Sequence, residues 1–149
     1  MINSWPILSI ITFLPLCGAF FTFFISNNDD VNKNTNVSQN IKFVALWTSL
    51  MTFVISLLIL INFDYELEGY QFEEKTNWLP SFGIFYHLGV DGLSLPFILL
   101  TTFLIPICIL CSWNSIQHRI KEYMISFLIL ETFIIGVFCS LDLIVFYIF

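Results

Sequence analysis

The sequence predicts an all-α integral membrane protein: about four transmembrane helices, the start of a fifth, and a short surface hairpin in the second connection. Hydrophobic residues make up 58% of the 149 positions and charged residues only 11%, with a mean hydropathy of +0.88, far outside soluble globular usage. Apolar runs long enough to cross a bilayer recur along the chain. The formal net charge of -6 is local, because six of the eleven acidic residues fall between Asn62 and Gly92. That acidity marks one loop, and nothing supports nucleic-acid binding.

A spanning helix needs roughly 20 mostly apolar residues to cross a hydrocarbon core about 30 Å thick. Residues 5–25, 41–61, 93–111 and 123–140 each meet that requirement, and residues 142–149 open a further helix. Together they place residues 1–149 in one membrane unit. The first run lacks a basic leader and carries Pro15 in its middle with no cleavage pattern after it, so it reads as a retained span. In the third run Pro106 removes the hydrogen bond to the carbonyl of Thr102. Such a break is tolerated in a membrane when hydroxyls, water or neighbouring helices take up the freed carbonyl, and Thr101 and Thr102 are the nearby candidates. A continuous helix over 123–149 would be overlong, so a break is expected at Ser140-Leu141-Asp142, where Ser140 or Asp142 can cap the next start.

The second connection is too long for a tight turn. Its stretch QFEEKTNWLPSFGIFYHLGV alternates apolar residues around Trp78, Phe82, Ile84 and Tyr86, with Pro80 and Gly83 as turn residues, which predicts a hairpin lying on the membrane surface. His87, at its membrane end, reads as a structural, hydrogen-bonded histidine rather than a proton relay. Basic residues gather near the first and third connections, at Lys33, Lys42, Arg119 and Lys121, and only Lys75 stands in the second. Basic loops stay on the side that is not translocated. The N-terminus and the hairpin are therefore expected on the opposite, positive side.

Cys108 and Cys111 form a CxxC, but they lie in LIPICILCSW, with no second cysteine pair and no nearby histidine. They read as small helix-facing residues, and no metal site is expected. The sequence also holds no GxGxxG and no cluster-type cysteine spacing.

Two carboxylates stand within or beside apolar runs. Glu131 lies nine residues from Glu122, roughly 13.5 Å along a helix, which puts it near mid-membrane. An ionised carboxylate there costs at least ~2.5–3.5 kcal/mol on insertion scales, so the group is protonated, paired or open to water. It is a proton-path candidate, weighed against a protonated side chain that simply bonds a neighbouring helix. Thr132, Gly136 and Ser140 follow at i, i+4 and i+8, a small-residue stripe that suits close helix contact. Asp142 is expected to favour a helix start through the dipole and needs no function. No catalytic residue is assigned, and Asp91, Gly92, Pro106, Gly136 and Asp142 are given structural roles.

The segments GIFYHLGVDGLSLPFILLTTFLIPICILCSW and KEYMISFLILETFIIGVFCSLDLIVFYIF carry a more specific signal. They resemble the N-terminal part of the subunit M (chain 4) family of NADH-quinone oxidoreductase, the antiporter-like proton-pumping subunits of respiratory complex I. The resemblance implies an N-terminus on the periplasmic or intermembrane side and a proton path using a glutamate on the fifth helix with lysines on later helices. In that family a run like FYIF is followed almost at once by the glutamate, so Glu131 is not given its role. The implied chain is a fragment, a truncated product or half of a split gene, inactive alone. Its implied partners are the lipid bilayer and other membrane-arm subunits of a complex that uses NADH, FMN, iron-sulfur clusters and quinone. The implied location is a bacterial plasma membrane or a mitochondrial inner membrane. Two competing readings are a related component of a multisubunit cation/proton antiporter, which shares the fold and the GVDGLS-like turn, and a non-transporting membrane scaffold.

Overall fold

The computed structural model describes residues 6–25, 35–67, 69–79, 84–116 and 118–149. Four long helices alternate in direction: α1 (Ile7–Phe24), α2 (Thr35–Asn62), α3 (Ser94–Cys111) and α4 (Ile120–Cys139). All four are long and apolar enough to cross a membrane. A short helix, α5 (Leu143–Ile148), follows α4, and an antiparallel hairpin of β1 (Gln71–Leu79) and β2 (Ile84–Val90) lies between α2 and α3. The expected turn residues Pro80 and Gly83, and the expected loop cation Lys33, lie outside the described residues.

Helix limits differ from the apolar runs in an instructive way. α2 begins at Thr35 rather than at residue 41, and α4 at Ile120 rather than 123. Polar residues extend both helices beyond the hydrocarbon, because backbone hydrogen bonding continues where apolar composition stops. Lys42 therefore stands inside α2. It is buried, and its ammonium donates to the Trp113 carbonyl at the end of α3. Lys121 donates to the carbonyls of Phe23 (2.6 Å) and Ile25 (2.9 Å), where a cation suits the orphan carbonyls at the end of α1.

The expected break after α4 is present. Ser140 is extended, and Asp142 caps α5 by accepting from the Ile144 amide at 3.1 Å. α3 runs on through Pro106, but the two threonines do not serve the carbonyl that the proline frees. Thr101 Oγ1 donates to Phe97 O at 2.8 Å, and Thr102 Oγ1 lies 3.0 and 3.1 Å from the carbonyls of Ile98 and Leu99. A threonine hydroxyl on a helix reaches back three or four residues, which is away from its own carbonyl.

The hairpin is fastened to both neighbouring helix ends. Pro6, at the start of α1, supplies no side-chain cap. The carboxylate of Glu74 on β1 does so instead, accepting from Leu8 N at 2.7 Å, from Ser9 N at 3.1 Å, and from the Ser9 hydroxyl. A bulge between Gln71 and Glu74, with Phe72 at φ 56°, resets the register there, as bulges do when they re-aim a side chain. On the other strand, His87 O accepts from Leu141 N at 3.0 Å, and Phe85 N donates to Asp142 at 3.3 Å. His87 itself is partly exposed beside Glu73, 3.4 Å away.

Outward faces are aromatic and aliphatic: Phe20, Phe21, Phe24, Trp47 and Ile61 are among the exposed side chains. Inside, the apolar residues form two separate clusters. One lies at the hairpin end around Leu8, Ile59, Leu88, Ile98 and Ile135. The other lies around Ala19, Ile41, Ala45, Ile109 and Leu128.

Candidate functional site

Between the two apolar clusters lies a layer of polar side chains. α2 contributes Ser49, Thr52 and Ser56, each 0% exposed; α3 contributes Thr101 and Thr102; α4 contributes Glu131 and Thr132. On α2 the three hydroxyls recur at i, i+3 and i+7, the spacing of one helix face. Small side chains there allow the backbones to approach, and their hydroxyls can bond to carbonyls of the same helix. Ser49 Oγ donates to Leu46 O at 3.0 Å and Ser56 Oγ to Phe53 O at 2.7 Å.

Glu131 sits on the buried face of α4 with Leu128 and Ile135, rather than at the edge of that face, and is wholly inaccessible. It is the twelfth of the twenty residues of α4, so depth along the axis and burial agree. Its Oε1 is hydrogen-bonded to the Thr52 hydroxyl, and Thr52 Oγ1 also lies 2.7 Å from Ser49 O. Its Oε2 has no hydrogen-bond partner among the described residues. Beside this pair, Ser56 Oγ and Thr102 Oγ1 are 2.9 Å apart and join α2 to α3. The layer therefore ties three helices together through hydroxyls and one carboxyl, and among the described residues it contains no Lys, Arg or His. Thr52, Ser49 and Ser56 escaped the sequence reading, although Ala45-x3-Ser49-x2-Thr52-x3-Ser56 is itself a readable small-residue stripe.

The other singled-out residues lie away from this layer. Asp91 and Ser94 form a reciprocal pair at the start of α3: the Ser94 amide donates to Asp91 Oδ1 at 2.7 Å and the Asp91 amide to Ser94 Oγ at 3.0 Å. The Ser94 hydroxyl and then its amide hold the Asp91 carboxyl below the ordinary aspartate range. This is a capping-box arrangement at an otherwise uncapped helix start. Gly92 departs from its expected role. It has no left-handed backbone, and an added Cβ would meet nothing within 4 Å, so a glycine is not required there.

Gly136 also behaves differently from the expectation of direct helix-to-helix contact. A Cβ built on it would lie 2.5–2.7 Å from ring carbons of Phe149, so the notch receives an aromatic ring that follows α5. The tight backbone approach is found at Gly18 of α1, against Thr48 of α2. Asp142 both caps α5 and receives the Phe85 amide of the hairpin. The four cysteines are free, and among the described residues no group of three or more His, Cys, Asp or Glu side chains is placed to hold a metal ion.

These features define a class: a multi-pass helical membrane protein with a carboxyl in a polar layer at the middle of its bundle. No protein-family model matches the chain. Curated proteins do. It is 46% identical over 143 residues, 96% of its length, to NADH-quinone oxidoreductase subunit M of Rhodobacter capsulatus. It is 44% identical over 142 residues, 95% of its length, to NADH-ubiquinone oxidoreductase chain 4 of Marchantia polymorpha. It is 42% identical over 145 residues, 97% of its length, to NADH-quinone oxidoreductase subunit M of Rickettsia conorii. The chain is thus homologous, along nearly all its residues, to a segment of NADH-quinone oxidoreductase subunit M or chain 4. It spans only 27–29% of the length of these relatives.

Proposed function

We propose that the chain serves as the N-terminal portion of a proton-translocating membrane-arm subunit of NADH:quinone oxidoreductase, seated in a bacterial plasma membrane or a mitochondrial inner membrane. The observation that carries this reading is the 46% identity with a subunit of that name over 96% of the chain, combined with four helices fit to span a bilayer. The same identity disfavours the cation-antiporter and scaffold readings.

In this reading the chain provides lipid-facing and subunit-facing helices, and the chemistry of NADH, FMN, iron-sulfur clusters and quinone belongs to other subunits. Proton movement through the complete subunit needs groups beyond those of this chain, since one carboxyl in a layer without a basic partner offers a place for a proton but no path through the membrane. The hairpin and N-terminus lie on the positive side, following the placement of Lys42, Arg119 and Lys121 at the opposite bundle end.

The test is proton flux in proteoliposomes that contain the purified 149-residue chain. Flux equal to that of lipid controls is expected. Sustained flux carried by this chain alone would overturn its assignment as one portion of a larger pump.

A further inference from the structure

The polar layer contains one atom that its hydrogen bonds leave unexplained. Glu131 Oε2 is buried without a partner among the described residues, and a buried unpaired polar atom costs about 1–3 kcal/mol, more when it is charged. An ionised carboxylate would place negative charge on that oxygen in an apolar interior, with a single hydroxyl as its support. A neutral carboxylic acid would leave only a carbonyl-type oxygen unpaired.

Proton counting at Thr52 points the same way. A threonine hydroxyl carries one proton and two acceptor lone pairs. Thr52 Oγ1 has two oxygen neighbours within bonding range, Ser49 O at 2.7 Å and Glu131 Oε1. Neither a carbonyl nor a carboxylate can donate. If Glu131 is ionised, the one proton must serve both contacts. If Glu131 carries a proton, it donates to Thr52 Oγ1 while Thr52 donates to Ser49 O, and both contacts are made.

We propose that Glu131 and Thr52 form an occluded proton-binding site in the membrane interior, with the Glu131 carboxylic acid donating to Thr52 Oγ1 and Thr52 donating onward to the Ser49 carbonyl. The ligand is a proton, held without a lysine or other cation. This assignment stands on the packing of α2 against α4 and does not depend on the assembly proposed above.

Infrared spectroscopy of the full chain in lipid vesicles at neutral pH tests it. The other ten acidic residues lie outside the four spans or at their ends, so one carboxylic-acid C=O band is expected. It should be absent from Glu131→Gln and should move to higher frequency in Thr52→Val, which keeps the shape of the side chain but removes the acceptor. Carboxyl-13C glutamate in the unmutated chain should shift the same band downward, a result that needs no variant to fold. A wild-type spectrum with no acid band, or an acid band indifferent to both the 13C label and Thr52→Val, would overturn the proposal.

Discussion

Removing the Glu74 carboxylate gives a sharp test of how the extramembrane hairpin positions the bundle. Glu74→Ala deletes the acceptor for Leu8 N, Ser9 N and the Ser9 hydroxyl at the start of α1, and no side chain of α1 can replace it, since the cap position is Pro6. Loss of an N-cap acceptor costs about 0.5–2 kcal/mol, and hydrogen bonds to a charged group contribute about 1.5–3 kcal/mol. Glu74 is partly exposed, so solvent screening discounts the upper values, and about 2 kcal/mol is a reasonable central figure. At 1.36 kcal/mol per tenfold, that corresponds to roughly 30-fold faster opening of the first turn. Amide hydrogen exchange of the chain in lipid nanodiscs reads it directly: Leu8 and Ser9 should exchange about 30-fold faster in Glu74→Ala, with the Ser94 amide at the start of α3 as the unaffected control. Unchanged exchange at Leu8 and Ser9 would refute the capping role.

Other outcomes follow from the same packing. Gly18→Ala puts a methyl 2.6–2.8 Å from Thr48, and such overpacking should destabilise the α1–α2 pair by about 1–3 kcal/mol; Thr48→Ala in the same chain should recover most of that loss in a denaturant titration. The Asp91 carboxyl lies below its ordinary range when folded, so its cap contributes fully above the unfolded aspartate value and is lost as pH falls through the lower folded one. Protection of the Ser94 amide should accordingly stay level from neutral pH to the ordinary aspartate range and decline only below it, with Asp91→Asn abolishing the dependence. A cysteine at Glu73, with the four native cysteines replaced, should label in intact right-side-out vesicles, and labelling only after permeabilisation would reverse the topology. In the assembled enzyme Glu131→Gln should keep most proton pumping, because its amide can still donate to Thr52, whereas Glu131→Leu should impair assembly more than Gln does.

Much of the architecture was legible because the bilayer imposes simple demands. Length and apolarity marked all four spans, and alternation around Trp78 and Tyr86 marked the hairpin. Ser140 and Asp142 announced the break before α5 because capping is a local property of the chain. Helix starts were less accurate, as at Thr35 and Ile120, since apolarity reports where lipid begins and not where helical hydrogen bonding begins. Long-range pairings were out of reach. Glu131 could be placed at mid-depth by counting residues, yet its contact with Thr52 depends on how α2 is rotated, and the periodicity of α4 alone does not contain that rotation. Glu74 was similarly opaque: it sits in an acidic loop, and only the docked hairpin brings it to α1. The stripe at Thr132, Gly136 and Ser140 was visible, but the ring of Phe149, not a helix backbone, occupies the space at Gly136.

The central claim is that this chain works as part of an NADH:quinone oxidoreductase, and isolation of the affinity-tagged chain from native membranes addresses it most directly. After mild detergent extraction, the tagged chain should elute with a large membrane assembly, and that fraction should reduce quinone at the expense of NADH. Elution of the intact chain apart from all NADH:quinone reductase activity, with that activity retained in the untagged fractions, would contradict the account.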